Sequence, residues 1–360
     1  MLRYKLHRNL QEDRVMTKFH GFIGTYTKGD SEGIYSFIFD TETAAIEAIK
    51  LAAKVENPTY LTISENKEYL YSVAKDGENG GVAAYSLNKE TGELHFLNQQ
   101  TEKGSPPCHV SVDRNNHHLL SSNYHKGTAA AYKIHAEDGT IQINPSVAQH
   151  QGEHDDQKPH THFAAFTPDE KYIAVIDLGI DQLLTYQLKE GQLVQVNHLS
   201  FTAGSGPRHL AFHPNEKIAY LMTEFSSEVI VLEYDANTGA FKEIQTISTI
   251  PADFSDNNQG SAIKLSSDGR FVYAGNRGHN SIAVFSIDTE TYKLTFVEHI
   301  STEGDWPRDF SLDPTEEFVI ASNQESSNLT VYKRNTETGK LTLLQSDITV
   351  PHPVCVTFIQ

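Results

Sequence analysis

The chain of 360 residues is predicted to be an all-β protein, a seven-bladed β-propeller with four antiparallel strands in each blade. Three features predict this fold: a hairpin turn that recurs along the whole chain, an alternating strand before each turn, and a polar motif that opens each unit after the first. No helical periodicity competes with the alternation.

The hairpin turn recurs at intervals of 47 to 53 residues, which is the size of one propeller blade. Glycine in this turn supplies the positive φ that tight hairpins need. The copies are Lys89–Gly92, Glu137–Gly139, Lys189–Gly191, Asn237–Gly239 and Glu337–Gly339, with degenerate copies at Glu42–Ala44 and Glu290–Tyr292.

The strand before each turn alternates apolar and polar residues and ends in an aromatic residue. These aromatic residues are Tyr35, Tyr85, Tyr132, Tyr186, Tyr234, Phe285 and Tyr332. A strand with this alternation is typical of a sheet with one buried and one less buried face.

The polar motif predicts the innermost strand of each blade. It occurs at Asn57–Leu61, Pro107–Val110, Pro159–Phe163, Gly206–Leu210, Gly260–Ile263 and Trp306–Phe310. The first unit, from about residue 20 to 50, has no such strand, whereas Pro351–Phe358 is an unassigned one. We therefore expect the C-terminal strand to complete the first blade and remove the exposed sheet edges. Residues 1–15 are predicted to be a flexible tail and residues 16–360 a single propeller domain.

The composition excludes several classes of function. The net charge of −18 argues against nucleic acid or an anionic membrane surface as a partner, since both require a basic face. The segment Met1–Val15 lacks the apolar core of a secretory signal, and no apolar run is long enough to span a membrane. The two cysteines form no CxxC motif, which favours a reducing compartment and predicts a cytoplasmic protein without a disulfide framework or zinc site. The oligomeric state is not predicted.

Blade topology brings unusual residues together at one mouth of the central channel. The innermost strand runs antiparallel to its neighbour, so residues about 16 apart should face each other across the hairpin. The expected pairs are Arg208 with Glu224, His160 with Asp177, Arg308 with Gln324 beside Asn323, and position 261 with Arg277. Arginine binds carboxylate or phosphate and stabilises oxyanions, and Glu or His can act as a general base.

The segment His150–His162 holds four histidines and three acidic residues, a composition that also suggests a metal site. Its spacing does not fit a fixed tetrahedral set, and no metal is predicted. We expect residues 149–158 to form a long exposed loop over the channel mouth, with only His160 and His162 pointing inward.

Several segments resemble the lactonase seven-bladed propeller family, which includes bacterial propeller-type 6-phosphogluconolactonases and fungal carboxy-cis,cis-muconate cyclases. They are Phe22–Thr27, Pro159–Phe163, Gly206–Pro214, Glu224–Ser227 and Gly275–Ile282. The resemblance runs from about residue 20 to 358, and the Asn-Arg-Gly-His-Asn-Ser and Gly-Pro-Arg-His-Leu runs are its most specific parts. The chain differs from the family at Thr223, where asparagine is usual, and at Gly260-Ser261, which replaces Gly-x-Pro.

The resemblance implies a catalytic set of one histidine, two arginines and one glutamate. By motif this set falls on His160, Arg208, Glu224 and Arg277. Around them we expect substrate-binding residues, namely His162, His209, Asp177, Asn323 and Arg308. No cofactor is expected.

The predicted reaction is hydrolysis of a sugar δ-lactone, foremost 6-phosphoglucono-δ-lactone to 6-phosphogluconate in the pentose phosphate pathway. Arg208 and Arg277 would hold the phosphate or stabilise the oxyanion, and Glu224 or His160 would activate water. One alternative is a cycloisomerase of a carboxy-muconate-type substrate, and another is a non-catalytic propeller that serves as a binding module. Trp306 is interpreted as packing, or as a surface on which a sugar stacks.

Overall fold

The computed structural model describes residues 17–154 and 157–359. These residues form seven four-stranded antiparallel sheets in a ring, which confirms the predicted seven-bladed propeller. Within the described ranges there is no helix, and hence none that is long and apolar enough to cross a membrane. The tail predicted for residues 1–15 lies outside the described residues.

Each blade runs from an innermost strand at the channel to an outermost strand at the rim. The first blade comprises β28 (Pro353–Phe358), β1 (Lys18–Thr25), β2 (Gly33–Asp40) and β3 (Ala45–Lys54); the second comprises β4 (Leu61–Ile63), β5 (Tyr69–Asp76), β6 (Asn79–Asn88) and β7 (Glu93–Lys103). The third comprises β8 (His109–Val112), β9 (His118–Asn123), β10 (Thr128–Lys133) and β11 (Ser146–Gln149), and the fourth β12 (Thr161–Phe166), β13 (Ile173–Asp177), β14 (Gln182–Lys189) and β15 (Gln192–Ser200).

The remaining three blades repeat the same order. The fifth comprises β16 (Pro207–Phe212), β17 (Ile218–Thr223), β18 (Glu228–Asp235) and β19 (Ala240–Ser248), and the sixth β20 (Gln259–Leu265), β21 (Phe271–Arg277), β22 (Ser281–Ile287) and β23 (Leu294–Ser301). The seventh comprises β24 (Pro307–Leu312), β25 (Phe318–Asn323), β26 (Asn328–Arg334) and β27 (Leu341–Thr349).

The ring is closed by the C-terminal strand, as predicted. Strand β28 pairs antiparallel with β1, so that Gly21 lies opposite Phe358 and Gly24 opposite Cys355. This pairing gives the first blade its innermost strand and occupies the edge of β1 that would otherwise be open.

The recurrent hairpin turns adopt the backbone conformation that the glycines predict. Gly139 has a φ of +73° and its N–H donates to the carbonyl of His135 at 2.9 Å. The two degenerate turns keep the same conformation without glycine, with a φ of +56° at Ala44 and +59° at Tyr292. The turn geometry is therefore held by its hydrogen bonds and by the blade, and glycine only makes it easier to adopt.

Apolar side chains between adjacent blades form the core, and tyrosine hydroxyls link one blade to the next. In the cluster between the fifth and sixth blades, Tyr220 and Met222 pack against Ile263 and Val272. A tyrosine in the second strand, or directly before it, repeatedly donates to a carbonyl in the outer turn of the following blade. These bonds run from Tyr71 to Gly139 at 3.1 Å, from Tyr172 to Asn237 at 2.8 Å, from Tyr220 to Tyr292 at 3.0 Å and from Tyr273 to Gly339 at 2.9 Å.

Candidate active site

A β-bulge at the start of the innermost strand places three of the predicted site residues. In β16, Pro207 pairs with Thr223 and His209 pairs with Met222, so Arg208 is the extra residue between them. The same shift leaves His162 unpaired in β12 and Arg308 unpaired in β24. A bulge redirects the side chain of its extra residue, which is why bulges are frequent next to active sites.

The residues around these bulges form two layers in the channel. The bulge position and its equivalents in other blades form an upper layer, of which Thr59, Cys108, His162 and Arg308 line one cavity. The residues that follow form a lower layer, in which Tyr60, His109, Phe163, His209, Ile263, Asp309 and Cys355 line a second cavity. All innermost strands start at the same face of the ring. The upper cavity therefore opens at the face where these strands start, and the lower cavity at the face where they end.

The upper cavity has a volume of about 450 Å³, which is within the usual range for a small-molecule site. Its walls combine charged and aromatic side chains from all seven blades. The charged groups are Lys75, Glu224, Arg277 and Arg308, and the rings are Tyr26, Tyr124, His125, His162 and Trp306.

Glu224 is bound by two arginines at the base of the upper cavity. Its Oε2 atom accepts from Arg208 Nε at 2.9 Å and lies 2.8 Å from Arg277 Nη2. Arg208 and Arg277 are each 2% exposed, and both also donate to backbone carbonyls, of Ser261 and Gly260 respectively. Of the two, Arg277 lines the upper cavity, whereas Arg208 lies behind Glu224.

Burial and charge set the protonation states around this cluster. Burial would raise the pKa of Glu224, but Arg277 and Arg208 outweigh it and hold the pKa below its ordinary value. Burial, reinforced by Arg208, holds the pKa of His162 well below its ordinary value. Burial raises the pKa of Cys108 to about 11. At neutral pH the site therefore has a carboxylate, a neutral imidazole and a protonated thiol.

Arg308 differs from the other two arginines because it has no carboxylate within ion-pair distance among the described residues. It is half-buried, lines the upper cavity and lies over the ring of Tyr26, with 5.5 Å from Cζ to the ring centroid. Trp306 lies beside Arg277, whose Cζ is 5.5 Å from the indole centroid, and has a φ of +64°. A tryptophan in this left-handed region is strained, a condition that is common at functional sites.

His160 and Asp177 lie together, as predicted, but neither lines the upper cavity. The backbone N–H of His160 donates to Asp177 Oδ1 at 2.7 Å, and His150 Nδ1 lies 2.8 Å from Asp177 Oδ2. The His160 ring stacks on Tyr124 with 4.2 Å between centroids, and its Nδ1 lies 2.8 Å from the Tyr124 carbonyl. His160 does not line the cavity itself but stacks on Tyr124, which does.

The other predicted residues are distributed over different parts of the channel. Asn323 is fully buried, donates to the Thr302 carbonyl at 3.0 Å and does not line the upper cavity. His209 belongs to the lower layer, although its ring centroid is only 5.1 Å from that of His162.

Two local predictions are wrong. Arg277 lies opposite Gln259, and position 261 is a serine whose hydroxyl donates to the Pro307 carbonyl instead. The segment 149–158 is not exposed throughout, because Gln149 belongs to β11 and His150 is 3% exposed. Residues 155–156 of that segment lie outside the described residues.

Several residues that line the upper cavity were not predicted from the sequence, namely Tyr26, Tyr124, His125 and Lys75. These residues could have been found from their position relative to the second strand of each blade. Tyr124 and His125 follow β9, and Tyr26 follows β1, at the end of the second strand where Glu224 also lies in its own blade. Lys75 lies in the corresponding part of β5.

Seven four-stranded blades around a polar channel define the chain as a seven-bladed propeller. The chain belongs to the family described as Lactonase, 7-bladed beta-propeller, whose model matches residues 20–358. This match confirms the resemblance noted in the sequence.

The chain is 55% identical to the 6-phosphogluconolactonase of Bacillus subtilis over 347 residues, which is 96% of this chain and 99% of that protein. A crystal structure of a Lactobacillus plantarum protein is similar at a TM-score of 0.89 and 44% identity, covering 95% of this chain and 100% of that one. The periplasmic gluconolactonase of Pseudomonas aeruginosa has a TM-score of 0.89 and 30% identity, covering 95% of this chain and 99% of that one.

Proposed function

We propose that the protein hydrolyses a sugar δ-lactone, and that 6-phosphoglucono-δ-lactone is its substrate. The observation that carries the proposal is Glu224, held by two buried arginines at the base of a cavity that contains a third arginine without a carboxylate partner among the described residues. The high identity to a 6-phosphogluconolactonase supports the choice of substrate.

The charges around the cavity indicate a different role for each of the three arginines. Glu224 already neutralises part of the charge of Arg208 and Arg277, and Arg208 does not line the cavity. Arg277 lines the cavity and its buried Nε has no hydrogen-bond partner among the described residues, so we assign it to the lactone carbonyl oxygen. There it would stabilise the oxyanion of the tetrahedral intermediate. Arg308, which has no carboxylate to neutralise it, is assigned to the phosphate.

A neutral imidazole in the upper layer is the best placed general base. His162 lines the cavity, and its lowered pKa leaves it uncharged and able to accept a proton from water at neutral pH. Glu224 binds both guanidinium groups through Oε2 and serves to position the two arginines. His160 is assigned a positioning role because it supports Tyr124 from outside the cavity. The roles of Asp177 and Asn323 are likewise those of buried hydrogen-bonding groups.

In the proposed reaction, water attacks the lactone carbonyl while His162 takes a proton from it. The intermediate collapses with cleavage of the bond between the carbonyl carbon and the ring oxygen. The ring oxygen takes the proton of the intermediate's own hydroxyl group and leaves as a hydroxyl, and the proton on His162 passes to solvent. The product is an open-chain carboxylate. We also propose a cytoplasmic location, which the two unpaired cysteines of the chain favour.

The test is the initial rate of hydrolysis of freshly prepared 6-phosphoglucono-δ-lactone, with EDTA present, by the wild-type protein and Arg277→Ala. We expect wild-type turnover well above the spontaneous rate, and a loss of about 100- to 1000-fold in the variant, as for removal of an oxyanion donor. Arg114→Ala, which changes an exposed arginine on a surface turn, is the matched control and should keep the wild-type rate.

A wild-type rate no higher than the spontaneous rate would overturn the proposal. In that case the wild-type protein and Arg277→Ala would be assayed with carboxy-muconate-type substrates. A cycloisomerase would form or open the lactone of such a substrate without net hydrolysis. Full activity of Arg277→Ala on every lactone would instead move the reaction away from the upper cavity.

A further inference from the structure

The roles proposed for Arg277 and Arg308 determine how the substrate lies across the ring of blades. Arg277, in the sixth blade, is assigned to the carbonyl oxygen, and Arg308, in the seventh, to the phosphate. In the phosphorylated δ-lactone the ring oxygen joins the carbonyl carbon C1 to C5, and C5 carries the phosphorylated carbon C6. The edge from C1 through the ring oxygen to C5 therefore faces the sixth and seventh blades. The opposite edge, where C2, C3 and C4 each carry a hydroxyl group, faces the other side of the channel.

The third blade forms the wall that this hydroxyl-bearing edge meets. The seven blades follow one another around the channel in chain order, so the blade opposite the gap between the sixth and the seventh is the third. It contributes residues 105–108, Tyr124 and His125 to the upper cavity. His125 is exposed, whereas Tyr124 is half-buried and follows β9 directly. Tyr124 is therefore the aromatic side chain of this wall that lies within the channel mouth.

A buried network holds the Tyr124 ring from behind. The Tyr124 carbonyl lies 2.8 Å from His160 Nδ1, and the two rings stack with 4.2 Å between centroids and 12° between planes. The His160 backbone N–H donates to Asp177 Oδ1 at 2.7 Å, and the fully buried Asp177 also lies 2.8 Å from His150 Nδ1. A Cβ atom at Gly179 would lie 2.8 Å from His160 Cδ2, so the backbone packs closely against the imidazole. His160 and Asp177 thus fix the position of one aromatic ring at the cavity.

The hydroxyl group of Tyr124 is available to a ligand. Among the described residues none is hydrogen-bonded to it, whereas the hydroxyls of Tyr71 and Tyr220 donate to carbonyls of the following blade. Burial raises the pKa of Tyr124, and the charge of Glu224, which lines the same cavity, adds to this effect. The phenol therefore stays protonated at neutral pH, and it can both donate to and accept from a sugar hydroxyl.

We infer that Tyr124 is a specificity-determining residue that hydrogen-bonds one of the substrate hydroxyls at C2, C3 or C4, and that His160 and Asp177 are positioning residues behind it. A site that pairs with a substrate hydroxyl discriminates against an analogue that lacks it. The cavity thereby selects polyhydroxylated lactones over simple δ-lactones of the same ring size. This inference rests on the proposed function and concerns the edge of the substrate that the arginines do not bind.

The test uses substrates that lack one hydroxyl at a time. Tyr124→Phe and the wild-type protein are compared on 6-phosphoglucono-δ-lactone and on its 2-, 3- and 4-deoxy analogues. We expect Tyr124→Phe to lower kcat/KM for the parent lactone about 5- to 150-fold, because a buried hydroxyl loses its partner. On the analogue that lacks this hydroxyl, the variant and the wild type should differ by less than about twofold. Tyr35→Phe, which removes a hydroxyl with only long local contacts, is the matched control and should equal the wild type.

The positioning role of His160 has its own test. His160→Ala removes the stacked imidazole, so it should reproduce the pattern of losses that Tyr124→Phe shows over the four lactones. In the Tyr124→Phe background it should add little, because the two residues act as one unit. A loss as large in that background as in the wild-type protein would overturn the positioning role.

The pattern over the four lactones separates recognition of a hydroxyl from a general structural effect. An equal loss in Tyr124→Phe on the parent lactone and on all three analogues, or no loss on the parent, would overturn the inference while leaving hydrolysis intact. Inhibition constants give the same comparison for any analogue that is not turned over. Absence of wild-type turnover of the parent lactone would instead overturn the proposed function.

Discussion

At the scale of single residues, the site depends on an unequal pairing of charges. Glu224 accepts from both Arg208 and Arg277 through the same oxygen, Oε2. Two guanidinium groups share one carboxylate, so the cluster keeps a net positive charge, and Arg308 adds another. A protein with a net charge of −18 thus has a positive cavity at one point, which suits a phosphorylated substrate.

Arg308→Ala tests the assignment of this arginine to the phosphate. A hydrogen-bonded ion pair in such a site contributes about 1.5–3 kcal/mol. We therefore expect KM for 6-phosphoglucono-δ-lactone to rise about 10- to 150-fold, and KM for unphosphorylated glucono-δ-lactone to change less than about twofold. Steady-state kinetics on both lactones measure this difference. Arg308→Lys keeps a point charge, so its KM for 6-phosphoglucono-δ-lactone should lie between those of the wild type and Arg308→Ala. Equal losses on both lactones would contradict the assignment.

At the scale of strands, the β-bulge explains both the success and the failure of the sequence prediction. The 16-residue spacing predicted the contact of Arg208 with Glu224. The backbone of Glu224 bonds to Gly206, and the bulge directs the Arg208 side chain to the carboxylate. The same spacing failed for Arg277, which lies opposite Gln259, because position 261 is a serine whose hydroxyl donates to the Pro307 carbonyl. The sequence did not indicate that His162 is the positional equivalent of Arg208 and Arg308, because only the bulge shows it.

Contacts between blades were also beyond the sequence. His150 follows the outermost strand of one blade yet lies against Asp177 of the next, and no local pattern indicates that contact. The blades themselves were predictable because each is a local unit that repeats, with its own turn and alternation. The candidate site was predictable only where it lies within one hairpin.

The tyrosine hydroxyls that join adjacent blades provide a test at this scale. Tyr220 donates only to the Tyr292 carbonyl, whereas the Tyr273 hydroxyl donates to Gly339 and also accepts from buried Arg334 Nε at 2.8 Å. Tyr220→Phe should lower the free energy of unfolding by about 0.5–1.5 kcal/mol, and Tyr273→Phe by more, because a charged donor loses its acceptor.

Urea unfolding of both tyrosine variants measures these differences. Tyr35→Phe is the control, since its exposed hydroxyl makes only long local contacts, and it should match the wild type. A greater loss of unfolding free energy in Tyr220→Phe than in Tyr273→Phe would show that the hydrogen bonds of the hydroxyl groups do not determine the loss of stability.

At the scale of the whole molecule, the buried channel histidines couple stability to pH. Burial lowers the pKa of His109 to about 3 and holds the pKa values of His162 and His209 well below the ordinary 6.5. Below pH 6.5 the unfolded chain therefore binds protons at these positions that the folded protein does not bind. The free energy of unfolding must fall as the pH falls from that value, by up to about 1.4 kcal/mol per pH unit for each histidine.

His109→Gln should remove one of these contributions. Between pH 6.5 and pH 5 we expect its free energy of unfolding to fall less steeply than that of the wild type, by up to about 1.4 kcal/mol per pH unit. Urea unfolding at a series of pH values measures the two slopes. His198→Gln, on the exposed face of β15, should keep the wild-type slope, and parallel slopes for His109→Gln would contradict the prediction.

The closure of the ring by β28 has a consequence for how the protein is made. A ribosome synthesises β1 first and β28 after every other strand, yet the two pair directly, Thr25 with Pro353. Blades two to seven each come from one continuous stretch and can form during translation, but the first blade must wait. Until then the nascent chain presents the open edge of β1, the kind of edge that invites pairing with other chains. Completion of the first blade is therefore the last step in the assembly of the ring, and the interval before it is when the chain most needs protection by chaperones.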